Sequence, residues 1–396
     1  MPWTLPTRRG PDLLVRAATV VTPHEVVDQG AVRTDGRLVV DVGHAWDLAP
    51  HPGEEVVDFP GCTITPGLVD MHCHGGGSTS FSGHDAADVV AAVRFHRGRG
   101  TTTVVASLVS APADELASSV AMLAELAEEG LVAGTHFEGP FLSHARCGAQ
   151  NPAALVPADT ETMGRLLKLG RGTVRMVTIA PELPGALDVV RQVRDAGALP
   201  AVGHTDATFE QTIAAIDAGA RVMTHLFNGM RPVHHREPGP VVAALERPEV
   251  CCELIADDNH LHPAIVHHVM RAAGPGRVAL MSDAIAAAGM DDGDYELGGL
   301  AVVVRGGVAR LAEGGSLAGS TITVSDAVRS VLTRSPAGLR ETVLAATATP
   351  AALVAPRAGA LAPDRRADLV VWDTGMHPVK VMVAGRWAPG AGEDEP

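Results

Sequence analysis

Pro66-Gly67-Leu68-Val69-Asp70-Met71-His72-Cys73-His74 is a short apolar run that ends in two histidines two positions apart, with Gly75-Gly76-Gly77 directly after it. Residues two apart project from the same face of a strand. His72 and His74 are therefore expected to point together from a strand end, where glycines let the backbone turn sharply. Paired imidazoles on one face are a common start for a transition-metal site. A His-x-His pair is weak on its own. Its meaning depends on whether the rest of the chain brings further ligands to the same level.

Outward from this run the chain repeats one unit: an apolar run, a loop rich in Gly, His or Asp, then an Ala-rich helix. Candidate strands end at His72-Cys73-His74, Val104-Val105-Ala106, Thr135-His136-Phe137-Glu138 and Val177-Thr178-Ile179-Ala180. Four more end at Ala201-Val202-Gly203-His204, Val222-Met223-Thr224-His225, Leu254-Ile255-Ala256-Asp257 and Leu280-Met281-Ser282-Asp283. Helices are expected between them, for example from Ala113 to Glu129 and from Phe209 to Ala218. Eight such units is the count of a (β/α)8 TIM barrel. An open doubly wound sheet is the alternative, but no Gly-rich phosphate fingerprint follows the first strand.

The polar residues fall at the C-terminal ends of the runs. Strands one, three, five, six and eight end in His72/His74, Glu138, His204, His225 and Asp283. In a barrel those ends converge on one mouth. Any one of these residues could be a structural strand-end side chain, but five strands presenting metal-type ligands at one level read as a site. Asp283 has a second reading, as the N-cap of a helix over Ala284-Ile285-Ala286-Ala287-Ala288.

The two chain ends have another rhythm. Short Val/Leu runs broken by Gly, Asp and Pro occupy residues 12–60 and return as Asp368-Leu369-Val370-Val371-Trp372-Asp373 and Pro378-Val379-Lys380-Val381-Met382-Val383. This is the pattern of a small antiparallel β module, a β-sandwich assembled from residues 1–62 and 356–396 around a barrel of residues 63–355. The residues after Trp387 read as a disordered tail. With 396 residues, the chain is long enough for a barrel plus this module.

A net charge of −15, from 31 basic and 46 acidic residues, speaks against a nucleic-acid or anionic-membrane partner, since either needs a basic field. Cys62, Cys73, Cys147, Cys251 and Cys252 form no disulfide framework, and Cys251-Cys252 read as buried thiols. Met1-Pro2-Trp3-Thr4 opens no signal sequence, and no run approaches 18 apolar residues, so a cytoplasmic enzyme is expected.

Taken together, these segments resemble the amidohydrolase superfamily and, within it, the N-acetylglucosamine-6-phosphate deacetylases. The resemblance runs from Pro66–His74 through His136-Phe137-Glu138-Gly139-Pro140-Phe141-Leu142, Ala180-Pro181-Glu182 and Gly203-His204-Thr205-Asp206-Ala207. It continues through Thr224-His225-Leu226-Phe227-Asn228-Gly229-Met230, Arg236-Glu237-Pro238-Gly239 and Ser282-Asp283-Ala284. Glu138-Gly139-Pro140 is the discriminating element, because most two-metal relatives place a carboxylated lysine or another residue there. The resemblance implies that Glu138, His204 and His225 hold the main divalent metal, with His72 and His74 completing a second site bridged by Glu138. One or two ions per subunit are implied, Zn²⁺ first, with Fe²⁺, Mn²⁺ and Co²⁺ as the other candidates for a His/Glu set. Asp283 is the implied general acid/base. Gln150, Asn228, Gly229, Arg236 and His260 stand where the family binds substrate, Arg236 being lent by the neighbouring subunit of a homodimer. The implied reaction removes the acetyl group from N-acetylglucosamine 6-phosphate, a small amino-sugar substrate.

The chain departs from the family pattern at three positions. Gln150 replaces a histidine, Asp258 a glycine and Gly229 an alanine. Gln150 still donates and accepts, and Gly229 is expected to change little. Asp258 is the consequential one: a carboxylate about 6 Å from a phosphate charge costs nearly 3 kcal/mol at a dielectric near 20. These departures leave open a deacetylase for another N-acyl amino sugar, galactosamine-type or unphosphorylated.

Overall fold

The computed structural model describes residues 12–83 and 85–389. Met1-Pro2-Trp3-Thr4, and the expected tail from residue 390 onward, lie outside the described residues. Eight parallel strands form one sheet in chain order: β1 Leu68–Cys73, β2 Thr101–Leu108, β3 Gly134–Glu138, β4 Val174–Ile179, β5 Leu199–Val202, β6 Val222–Met223, β7 Cys251–Leu254 and β8 Val278–Leu280. Each of the eight expected strands is present. The helices Ala113–Glu128 and Phe209–Ala218 also stand where the sequence places them.

The remaining gap in the barrel lies between β8 and β1, and it is bridged just beyond the strand ends. Asp283 N donates to His72 O at 3.0 Å, and His74 N donates to Ala284 O at 2.8 Å. Beneath them the Ser282 hydroxyl donates to Asp70 Oδ2 at 2.5 Å and Ser282 N to Asp70 Oδ1 at 3.2 Å. Burial pushes the Asp70 carboxyl up to about 6 against these Ser282 hydrogen bonds. The expected glycine turn follows at once. A side chain at Gly75, whose φ is +158°, would run into the carbonyl of Thr79.

Inside the barrel, side chains of alternate residues stack in layers. Val105, Met176, Ala201, Val222, Cys251 and Ala279 form an apolar cluster with Val354 of the helix Ala348–Val354. Two residues further along four of these strands come Ser107, Thr178, Thr224 and Glu253, all fully buried. His136 bridges this polar level, its Nδ1 3.0 Å from Ser107 Oγ and its Nε2 2.8 Å from Thr178 Oγ1, which in turn meets Thr224 Oγ1 at 2.8 Å.

The chain ends share a seven-stranded sheet in the order Arg386–Trp387, Pro378–Val383, Leu369–Trp372, Glu55–Pro66, Leu13–Val21, Val26–Asp35, Leu38–His44. It forms a separate sandwich-like module built from both termini. The expectation of purely antiparallel pairing is corrected at one place: Leu13–Val21 runs parallel to Glu55–Pro66. The two intervening strands make an antiparallel meander, so the returning chain reaches the sheet's interior in the same direction it began. The antiparallel strands Gly293–Leu297, Leu300–Arg305 and Val308–Leu311 were not expected. Their signal is present in the sequence: Gly298-Gly299 and Gly306-Gly307 are two-residue hairpin turns between apolar runs.

Trp372 joins the end-built sheet to the barrel. It is fully buried in one cluster with Leu68 of β1 and Val328 of the helix Val324–Arg334, and its indole N–H donates to Thr65 Oγ1 at 2.8 Å. Trp372→Ala is expected to cost about 3–5 kcal/mol of stability. Turnover at temperatures where the variant stays folded should be near wild type. Denaturant unfolding checks the first claim, and a loss below about 1 kcal/mol would show that the indole is not a principal tie.

Candidate metal centre

Three of the site residues follow their strands by two or three positions in backbone conformations that side chains rarely adopt. The φ angles are +46° at His204, +31° at His225 and +49° at Asp283. Such positions cost on the order of 1–3 kcal/mol each and concentrate where a site demands them. At Asp283 the left-handed turn also rules out the N-cap reading, since no helix forms over Ala284–Ala288.

Two donor sets result. Glu138, His204 and His225 offer atoms within 4.8 Å of one another, as do His72, His74 and Asp283. Glu138 faces both. Its Oε1 is 3.0 Å from His204 Nε2 and 2.9 Å from His225 Nε2, while its Oε2 is 3.2 Å from His74 Nε2. Asp283 Oδ1 lies 3.2 Å from His74 Nε2 and 3.4 Å from His72 Nε2. Within each set the imidazole nitrogens confront one another, at 3.0 Å for His204 and His225 and 3.1 Å for His72 and His74.

Each ring is turned by a partner behind it. His74 Nδ1 meets Ser107 O at 3.2 Å, His204 Nδ1 meets Arg146 O at 2.9 Å, and His225 Nδ1 meets Asn228 O at 3.1 Å. A carbonyl can only accept, so each of these Nδ1 atoms carries a proton, and Nε2 is left to face the cluster, with a lone pair once its own proton is displaced. His72 Nδ1 instead faces Glu253 Oε2 at 3.2 Å. Lone pairs at 3 Å repel unless a proton or a cation lies between them. Four imidazoles with two carboxylates therefore suit one or two divalent transition metals.

The electrostatics follow from burial opposed by near neighbours. Burial disfavours the Glu138 anion, but His72 and His204 hold its carboxyl well below the usual range. Burial opposes charge on Asp283 too, and His72 and His74 outweigh it, lowering that carboxyl. Burial disfavours a proton on His74, yet its hydrogen bonds to Asp283 and Glu138 raise it to about 9. His72 is raised against burial by Glu138, Asp283 and Glu253, and His204 by Glu138. His136 is pushed well below the ordinary imidazole value by burial and by His72, so it stays neutral.

The remaining expected residues divide. Gln150, 4% exposed, accepts from Ser110 N at 2.8 Å and donates to Glu138 Oε2 at 2.6 Å. That bond ties it to Glu138, and its second N–H is free by chemistry to serve a ligand. Asn228 lies beside His225 through its carbonyl. Gly229 is not the neutral replacement expected. With φ +59°, a β-carbon there would sit 3.0 Å from His204 Nδ1 and 3.3 Å from Arg146 O, so alanine would crowd the ligand ring. His260 is oriented by Asp257, whose Oδ2 lies 2.8 Å from His260 Nδ1. Arg236 is exposed and donates to His235 Nε2 at 2.7 Å. Among the described residues, neither His260 nor Arg236 has a hydrogen bond or ion pair to the cluster.

Sequence reading missed Glu253, Asp70 and the loop supports of His204. Asp206 accepts from Arg146 Nε and Arg231 Nη2 at 2.9 Å each, and Asp206 N donates to Glu182 Oε1 at 2.6 Å. This fixes the segment whose carbonyl orients His204. The legible signal for Glu253 was a lone acid inside Cys251-Cys252-Glu253-Leu254.

A barrel with two such donor sets at its C-terminal mouth is the arrangement of a metal-dependent hydrolase, and the chain belongs to the Amidohydrolase family, whose profile matches residues 63–388. Among its relatives, the N-acetylgalactosamine-6-phosphate deacetylase of Escherichia coli O157:H7 is 35% identical over 332 residues, covering 82% of this chain and 87% of the relative. The N-acetylglucosamine-6-phosphate deacetylase of Bacillus subtilis is 33% identical over 326 residues, covering 80% and 81%. The solved structure of an N-acetyl-D-glucosamine-6-phosphate deacetylase variant from Mycobacterium smegmatis, in complex with N-acetyl-D-glucosamine-6-phosphate, is 44% identical with a TM-score of 0.92, covering 96% of this chain and all of that one.

Asp258 contradicts the expected repulsion. Its backbone is left-handed, φ +65°, and its Oδ2 pairs with Arg334 Nε at 2.8 Å while its Oδ1 accepts from Ser330 Oγ at 3.2 Å. Its charge is thus turned to the helix Val324–Arg334. Asp258→Gly is expected to change affinity for a phosphorylated ligand by less than about threefold. Its stability cost should stay within about 1 kcal/mol, the scale of a partly exposed ion pair. Isothermal titration checks this, and a tightening of tenfold or more would place the carboxylate against the ligand after all.

Proposed function

We propose that the chain is a metal-dependent deacetylase that hydrolyses N-acetylglucosamine 6-phosphate to glucosamine 6-phosphate and acetate. The observation that carries this reading is the paired donor set around Glu138, on a fold shared at 44% identity with an N-acetyl-D-glucosamine-6-phosphate deacetylase. Residues 63–355 would form the catalytic barrel, flanked by the module of residues 1–62 and 356–396. Glu138, His204 and His225 would hold the main cation, with His72, His74 and Asp283 beside a second. A bound divalent cation supplies Lewis acidity toward the carbonyl and can lower the pKa of water from about 15.7 to about 7.

The chain's own groups do the rest. Hydrolysis forms a bond from water oxygen to the acetyl carbon and breaks that carbon's bond to the amide nitrogen. Asp283 is the carboxylate that accepts the water's proton, which it then delivers to the departing amine. Glu138 stays an acceptor throughout, and the Nδ1 partners keep every ring from turning. Gln150 holds Glu138 Oε2 and can reach the ligand with its second N–H. Asn228, Gly229 and His260 would line the sugar-phosphate end. Arg236, exposed on its loop, would complete that end in the partner subunit of a homodimer. With Asp258 paired to Arg334, the objection to a phosphorylated substrate falls away. No helix among the described residues is long and apolar enough to cross a membrane, which fits the cytoplasmic setting we assign.

Acetate release from N-acetylglucosamine 6-phosphate, N-acetylgalactosamine 6-phosphate and unphosphorylated N-acetylglucosamine tests the substrate. The first should give the highest kcat/KM. A tenfold preference for the galactosamine compound would instead place the chain with the Escherichia coli O157:H7 relative.

Asp283→Asn is expected to reduce turnover by at least about a hundredfold, the usual scale for acid/base catalysis, while the cation held by Glu138, His204 and His225 remains. Retention of more than a tenth of wild-type turnover would move the base elsewhere. Glu138→Gln should abolish activity and lower metal content at both sets, because a neutral amide serves two cations poorly. A full metal complement by elemental analysis in that variant would refute the shared role.

A further inference from the structure

Of the four imidazoles, three are oriented by neutral carbonyls and His72 alone by a carboxylate. That carboxylate is unusual in its own right. Glu253 is fully buried on β7, and its Oε2 also accepts from His225 N at 3.3 Å. Its Oε1 is buried too and has no hydrogen-bond partner among the described residues. Burying a carboxylate is costly unless it is paired and hydrogen-bonded. No lysine or arginine among the described residues pairs with Glu253, and the side chain that faces it is His72.

We propose that Glu253 is a positioning residue that commits the His72, His74 and Asp283 set to a second divalent cation. The inference rests on reading the cluster as a metal centre and decides between one and two ions. Counting charge gives the first reason. Glu138, Asp283 and Glu253 bring three negative charges to one buried cluster. A single divalent cation offsets two of them, and a second offsets the rest.

The alternative compensation is a proton shared at His72. It would place an N–H at Nε2, 3.1 Å from His74 Nε2, and remove His72 as a ligand. The geometry favours a cation. The His72/His74 nitrogens converge as closely as those of His204 and His225, so both pairs are built for the same kind of occupant. Carboxylate–histidine pairing also raises the basicity of the ring as a ligand, and such outer partners typically carry ten- to hundredfold of metal affinity.

Metal-stripped protein titrated with Mn²⁺ tests this without reference to activity. Wild type should take up two equivalents and show the electron paramagnetic resonance of a spin-coupled pair. Glu253→Gln should keep one equivalent at wild-type affinity, bind the second ten- to a hundredfold more weakly, and show an isolated Mn²⁺ signal at one equivalent. Two equivalents at unchanged affinity in Glu253→Gln would overturn the role of Glu253. One equivalent in wild type at saturating Mn²⁺ would overturn the second cation while leaving the first set standing. No uptake by either protein would instead sink the metal-centre reading itself.

Should Glu253→Gln fail to fold, the charge coupling is tested by stability. His72→Gln leaves Glu253 without compensation, so the His72→Gln/Glu253→Gln pair should melt higher than His72→Gln alone. Equal melting temperatures for the two would overturn the proposal.

Discussion

The Glu138 carboxylate, 3% exposed, stands among four imidazole nitrogens, and the rest of the site is arranged so that this burial is tolerable. A lone buried carboxylate would take up a proton. Here the facing rings outweigh desolvation and hold it ionised. The rings can do so only because each is fixed from behind: three by carbonyls of Ser107, Arg146 and Asn228, one by Glu253. Each of those carbonyls belongs to a loop or strand end held by its own bonds. The requirement of a single carboxylate thus propagates outward through at least two layers of structure.

The same residues that build the site close the barrel. In an eight-stranded parallel sheet the last pairing has to join the first and last strands across the longest separation in sequence. Here His72 and His74 exchange backbone hydrogen bonds with Asp283 and Ala284, and Asp70 receives Ser282 just beneath. The acid/base candidate is therefore positioned against the histidine pair by backbone, not by a mobile loop. That arrangement satisfies the demand for sub-ångström placement that catalytic groups make. It also explains the left-handed backbone at Asp283: the chain must bond to β1 and turn away within one residue.

Much of this could be read from residues alone, because periodicity and ligand type are local properties. The eight apolar runs, the His72/His74 pair, the polar strand ends and the bracketing module needed no knowledge of distant contacts. What escaped reading depends on tertiary pairing. The parallel Leu13–Val21 and Glu55–Pro66 pair is set by where the chain returns, which alternation does not encode. The direction of Asp258 is set by Arg334 on a helix more than seventy residues away. Glu253 looked like an interruption of a buried strand, and its partner His72 lies 181 residues earlier. Gly229 looked like a mild replacement because the crowding an alanine would bring there comes from the His204 ring, which only the fold places beside it.

Gln150 shows how such a contact changes the meaning of a substitution. Judged as a residue type, glutamine in place of histidine concerns one hydrogen bond to a ligand. In the structure Ser110 N donates to its Oε1, which fixes the amide so that Nε2 must face Glu138 Oε2. A neutral histidine could mimic either half of that arrangement, but a ring that accepts from Ser110 at one nitrogen would have its donor on the far side of a rigid five-membered plane. The glutamine amide offers acceptor and donor from one carbon, matched to two groups on the same wall of the pocket. The bond to Oε2 also competes for the carboxylate oxygen nearest His74, leaving Oε1 to His204 and His225. Glu138 is thereby divided unequally, Oε1 lying close to His204 and His225 with His72 Nε2 farther off at 3.7 Å, and Oε2 shared between Gln150 and His74. A charge-assisted bond at 2.6 Å is among the stronger neutral-to-ion contacts a side chain makes. The inequality of the two donor sets therefore follows from a neutral residue as much as from the ligands themselves.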